Sequence, residues 1–105
     1  MTCRSLLLLA AAVAAAACGG GGGTEAPADV LALSKRAYED AKARGVEMGR
    51  GPCLGVVSPG WVADVAHDPR EPVDDEPANQ CEAFRSGRAK HFVELDPDGK
   101  LIRTG

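Results

Sequence analysis

The sequence predicts a small α+β domain: an N-terminal helix, then a small antiparallel sheet of three to four short strands with one short helix, closing on a C-terminal hairpin. Two observations carry this. Apolar residues recur at helical spacing in Val30, Leu33, Ala37 and Ala41. Further along, short β-rich runs alternate with turn residues, most clearly around Asp96-Pro97-Asp98-Gly99.

The elements follow in order. The helix is predicted over 29–44, with Asp29 as N-cap and Gly45 ending it after Lys42 and Arg44. Leu31 and Tyr38 lie beside its apolar stripe. Residues 46–52 form a glycine-rich connector; it lacks the Gly-Lys-Ser/Thr ending of a phosphate loop. Residues 54–57 read as a strand, Ser58-Pro59-Gly60 as a turn and 61–66 as the next strand. Residues 68–77 read as a proline-stiffened acidic loop, solvated at Asp74, Asp75 and Glu76. A short helix over 77–86 starts at Pro77 and stops at Gly87. His91 to Leu95 and Leu101 to Arg103 form the hairpin, with Leu95 opposite Leu101 and Val93 opposite Arg103. That register places Val93, Leu95 and Leu101 on the buried face.

Composition separates the chain into two objects. Of its 105 residues 45% are hydrophobic, and 14 of the first 17 belong to that class. The rest is about 38% apolar, below the usual range for a globular domain. A second domain is excluded on length, and a span-and-return membrane protein on the single long apolar run. That run, residues 6–17, follows Arg4 and is shorter than the roughly 20 residues of a spanning helix. It fits the apolar stretch of a secretory signal.

Small residues close the run as Ala15-Ala16-Ala17-Cys18, and five glycines follow. This resembles the lipobox of bacterial lipoproteins, although the family usually has leucine where this chain has Ala15. The resemblance implies that 1–17 is a removed signal peptide. It also implies that Cys18 carries palmitate-type acyl chains on the extracytoplasmic face of the cell membrane. Residues 18–28 are then the lipidated cysteine and a flexible tether, 29–52 the helix and connector, and 53–105 the small α+β domain.

The cysteines sort accordingly. With Cys3 in the signal and Cys18 on lipid, Cys53 and Cys81 remain as one pair in an oxidising compartment. A bridge there closes a loop of about 28 residues and contributes roughly 3.5 kcal/mol on the chain-entropy estimate. It supplies what a lean core lacks. A zinc site of Cys53, Cys81, His67 and His91 has suitable ligand types but lacks Cys-x-x-Cys or His-x3-His spacing.

Chemistry-bearing candidates are few. His67 and Asp68 end one strand beside Arg70, and His91 and Glu94 lie on another. Strand alternation puts Trp61, Ala63, Val65 and His67 on one face and Asp64 on the other, so Asp64 cannot orient His67 as a catalytic dyad unless a bulge intervenes. If the two strands pair antiparallel, His67 approaches His91, and with Asp68 they suit a metal or a proton relay. The competing assignment is that each histidine caps the core. The acidic loop lacks calcium-loop spacing, and Trp61 reads as core. No nucleophile motif is present. The mature chain carries 11 Lys+Arg against 15 Asp+Glu, which disfavours nucleic acid.

The segments 61–70, Asn79-Gln80-Cys81 and His91-Phe92-Val93-Glu94 together resemble a small uncharacterised domain of secreted prokaryotic proteins. This implies only that 53–105 is a unit. The expected function is therefore a lipid-anchored extracytoplasmic module that binds a protein or small ligand without cofactor or chemistry. The alternative is a small metal-dependent or acid–base enzyme using His67, Asp68 and His91.

Overall fold

A computed structural model describes residues 25–105. The signal-peptide assignment of 1–17, Cys18 and most of the tether lie outside the described residues. The architecture is α+β: helix α1 (Ala28–Ala43), strands β1 (Cys53–Ser58) and β2 (Trp61–Val65), a one-turn helix α2 (Glu82–Arg85), and strands β3 (His91–Leu95) and β4 (Leu101–Thr104). The four strands form one sheet in the order β1-β2-β3-β4.

The sheet is mixed rather than antiparallel throughout. β1–β2 and β3–β4 are antiparallel, but β2 and β3 run parallel, with Trp61 paired to His91 and Val65 to Leu95. A parallel pair needs a long crossover. Residues 66–90 supply one, carrying two 3-10 turns at Pro72–Asp75 and Pro77–Asn79 and then α2. The helix expected over 77–86 is thus split into a 3-10 turn and a single α turn.

The N-cap of α1 lies two residues earlier than its capping signal suggested. Pro27 occupies the N-cap position without a side-chain cap, and Asp29 sits in the first turn, where its charge faces the positive end of the helix dipole. At the other end Gly45 adopts φ +88°, Val46 N–H reaches back to the Ala41 carbonyl and Gly45 N–H to that of Lys42. This is a Schellman closure, and it needs the left-handed conformation glycine provides.

The buried stripe of α1 is Val30, Ser34, Tyr38 and Ala41, and Leu33 is exposed. The stripe is rotated from the expected one because Tyr38 carries most of the buried volume. Its hydroxyl donates to the Pro97 carbonyl at 2.8 Å, so one side chain serves both core and hairpin loop. Ser34, wholly buried, donates to the Val30 carbonyl at 2.8 Å and leaves no polar atom unsatisfied. Lys35 adds a bond to the Gly99 carbonyl at 3.0 Å.

Strand alternation builds two distinct cores. Trp61, Ala63, Val65, Val93 and Leu95 face α1. Val62 and Phe92 face the crossover, where Cys81, Ala83 and Ala89 cover them. The expected Cys53–Cys81 disulfide is present, joining β1 to the start of α2 with Cα atoms 5.0 Å apart.

The hairpin keeps Leu95 opposite Leu101 but then slips. A bulge between Glu94 and Leu95 pairs Glu94 with Arg103 and Val93 with Thr104. Leu101, although it keeps its expected partner, is exposed rather than part of the core. In the turn, Asp96 Oδ1 accepts from both the Asp98 and Lys100 N–H groups at 2.9 Å.

Candidate functional site

The crossover face of the sheet holds the chemistry. Asp64 on β2 and Glu94 on β3 are direct partners across the parallel pair. Each lies two residues from an apolar neighbour on the same face, Val62 and Phe92 respectively, so both carboxyls point away from α1. Above them is a cavity of about 280 Å³, lined among others by Asp64, Arg70, Phe84, Arg85, Phe92 and Glu94.

The two carboxyls are treated differently. Glu94 is buried, and it pairs with Arg103 from β4 at 2.8 Å and Arg70 from the crossover at 3.4 Å. Asp64 has no such counter-ion, and its Oδ1 is buried without a hydrogen-bond partner. Burial first, and the neighbouring Glu94 charge second, push its pKa up to about 7, against the opposing fields of Arg70 and Arg103. Asp64 therefore carries a proton over much of the range where an ordinary carboxyl is ionised.

Arg70 is held in place by its own partners. Its Nε donates to Asp75 Oδ1 at 3.0 Å and its Nη2 to the Asp74 carbonyl at 3.3 Å. Both acceptors belong to the acidic loop. That loop is not uniformly solvated: Asp74 is buried, while Asp75 and Glu76 are exposed.

Asp74 is the anchor of the crossover. Its Oδ2 accepts from the backbone N–H groups of His67 and Glu71, both at 2.9 Å. Its Oδ1 lies 2.9 Å from His67 Nδ1. Burial pushes the Asp74 carboxyl up, but the two backbone donors and the His67 ring outweigh it and hold it below the ordinary range. The Asp68–Pro69 peptide within this segment is cis.

The sequence-predicted constellation of His67, Asp68 and His91 is not brought together. In a parallel pair His91 lies beside Trp61 at the start of β2, and its ring stacks on the indole at 4.7 Å. His67 lies six residues further along, roughly 20 Å away at about 3.3 Å per residue. The antiparallel premise placed these ends together; the crossover reverses it. Asp68 is exposed, and Asp74 rather than Asp68 partners His67. Among the described residues no three His, Cys, Asp or Glu side chains are grouped to hold a metal ion. The four-residue zinc alternative fails because Cys53 and Cys81 are bonded to each other.

Sequence reasoning missed the pairing of Asp64 with Glu94 and the counter-ions Arg70 and Arg103. A usable signal existed. Each carboxyl interrupts an otherwise apolar strand, and the 66–90 connection is long enough for a parallel crossover.

The chain matches no protein-family model, no curated protein and no solved structure.

Proposed function

We propose that this chain is a lipid-anchored extracytoplasmic binding module, tethered through Cys18 and presenting the cavity above Asp64 and Glu94 to a small ligand. The observation that carries the binding half is that cavity, a concave site where the apolar side chains of Val62, Phe84 and Phe92 meet several charged groups. The anchoring half rests on the Ala15-Ala16-Ala17-Cys18 pattern and the glycines after it. Acyl chains at roughly 0.8 kcal/mol per buried methylene would hold such a domain at the membrane. The acid–base alternative has no support from His67 and His91: His91 pairs with Trp61 at the start of β2, and His67 lies beyond its far end.

Metabolic labelling with a palmitate analogue in a bacterial host tests the anchor. The wild-type chain should take up label and fractionate with membranes, and Cys18→Ala should lose both. An unacylated, soluble wild-type chain would refute the anchoring half.

A further inference from the structure

We propose that the cavity takes a small zwitterion carrying an ammonium group and a carboxylate on a compact apolar body, a free amino acid being the simplest case. This rests on reading the cavity as a binding site, and it goes further by naming the ligand's chemistry. The choice follows from which polar groups around the cavity are already committed.

Most are. Glu94 is ion-paired with Arg70 and Arg103, although its Oε1 makes no hydrogen bond among the described residues. Arg70 is also tied to Asp75 and to the Asp74 carbonyl, and Asp74 to His67 and Glu71. Two are not. Asp64 lines the cavity and makes no hydrogen bond or ion pair among the described residues, its Oδ1 being buried. The Arg85 guanidinium, on α2 at the exposed rim, makes no hydrogen bond or ion pair among the described residues and acts only through its field on Glu82. Buried polar groups are ordinarily satisfied, so an unpartnered carboxyl on a residue that lines a cavity marks where a donor belongs.

The two uncommitted groups have opposite sign, and a ligand that answers both must also carry both signs. Its ammonium would donate to Asp64 and its carboxylate would meet Arg85 at the rim. Phe84, 42% exposed and edge-on to Phe92 at 5.5 Å, supplies an apolar wall for the ligand's body. A purely cationic ligand would leave Arg85 unanswered and meet Arg70 and Arg103. A purely anionic one would face Glu94 and leave Asp64 Oδ1 orphaned. The cavity volume of about 280 Å³ lies at the small end for ligand sites, which suits a molecule of this size.

Binding converts Asp64 to its ionised form, and the displaced proton passes to solvent. The groups facing Asp64 are Glu94 on β3, Arg103 on β4, and Arg70 and Asp74 on the crossover. None of these supplies a direct counter-ion to Oδ1. Affinity for the zwitterion should therefore rise as pH climbs through neutrality.

The test uses the full chain in detergent micelles at about pH 8, with Asp64 ionised. Nitrogen-labelled backbone amides report binding of phenylalanine and of aminohexanoate, which space the two charges differently. Phenethylamine and phenylpropionate each keep one charge only. At least one zwitterion should shift the amides of β2 and β3, with phenethylamine and phenylpropionate at least tenfold weaker. Asp64→Asn and Arg85→Gln should each weaken that zwitterion at least tenfold while the remaining amide pattern stays folded. If either single-charge compound binds as tightly as the zwitterions, or Arg85→Gln has no effect, the ligand class is wrong and the cavity still binds. If neither zwitterion binds, the ligand class is also overturned. A screen of neutral and anionic fragments that likewise leaves β2 and β3 unmoved removes the binding reading itself.

Discussion

Asp64 and Glu94 are cross-strand partners, yet among the described residues Glu94 has two guanidinium counter-ions and Asp64 has none. The asymmetry has a simple origin. β4 lies against β3 and not β2, so Arg103 reaches the carboxyl on its own neighbour, and Arg70 closes on the same side. Asp64, opposite Cys53 on β1, has a disulfide sulfur rather than a cation across the sheet.

Protein stability should fall as pH rises from about 4 to about 7. The Asp64 carboxyl has a pKa of about 7 when folded against 3.8 ordinarily, so the unfolded chain ionises first and gains over the folded one. The penalty is absent below the lower value and complete above the higher one, on the order of a few kcal/mol. Asp64→Asn should flatten this part of the profile and stabilise the protein at neutral pH. Urea denaturation across the window checks it, and a wild-type profile already flat there would falsify the assignment.

Asp74→Ala should destabilise the domain by about 2–4 kcal/mol, because it leaves two backbone N–H groups and the His67 ring without their acceptor. The sign with pH is opposite to that of Asp64. The folded carboxyl lies below its ordinary range, so its contribution is present at neutral pH and is lost as pH falls through the folded value. Thermal unfolding of the variant at neutral pH measures the cost; a melting temperature equal to that of the wild type would show the crossover does not depend on this anchor.

Two nearby glycines give an internally controlled pair. A Cβ on Gly51 would stand 2.7 Å from Asp74 Oδ1, at a φ of +69°. A Cβ on Gly49 would meet nothing within 4 Å. Gly51→Ala should cost about 1–3 kcal/mol, from strain and displacement of the buried carboxylate. Gly49→Ala should be close to neutral. Equal effects of the two substitutions on denaturation midpoint would contradict the close approach of the connector to Asp74.

Tyr38→Phe should cost about 1 kcal/mol, since the Pro97 carbonyl loses its donor while the ring remains packed. Amide hydrogen exchange should speed at the 96–100 turn and stay slow in β2. Uniform acceleration throughout the sheet would mean that the hydroxyl does not act locally.

Cys53→Ser with Cys81→Ser should cost about 3 kcal/mol, because a loop of 28 residues is no longer closed in the unfolded chain. The intact protein should gain two mass units on reduction. Free thiols in the unreduced protein would sink the assignment.

Much of the local structure was legible from residue order. The bounds of α1 and of the strands follow from Gly45, Gly60 and Gly99 and from the apolar runs between them. The choice of Cys53 and Cys81 as the bridge depended only on which cysteines remained. Less legible was anything set by volume. The helix buries Tyr38 rather than Leu33 because the large ring packs against Gly99 and its tip finds Pro97.

The sequence alone determined where chain direction changes and which residues share a face, since turns and side-chain alternation are properties of neighbours a few positions apart. Tertiary structure alone decided that β2 and β3 run parallel, because pairing direction depends on how residues 66–90 pack across the sheet. That one decision separated His67 from His91. It set Asp64 beside Glu94 instead, and so moved the site to the opposite face from the one the histidines indicated.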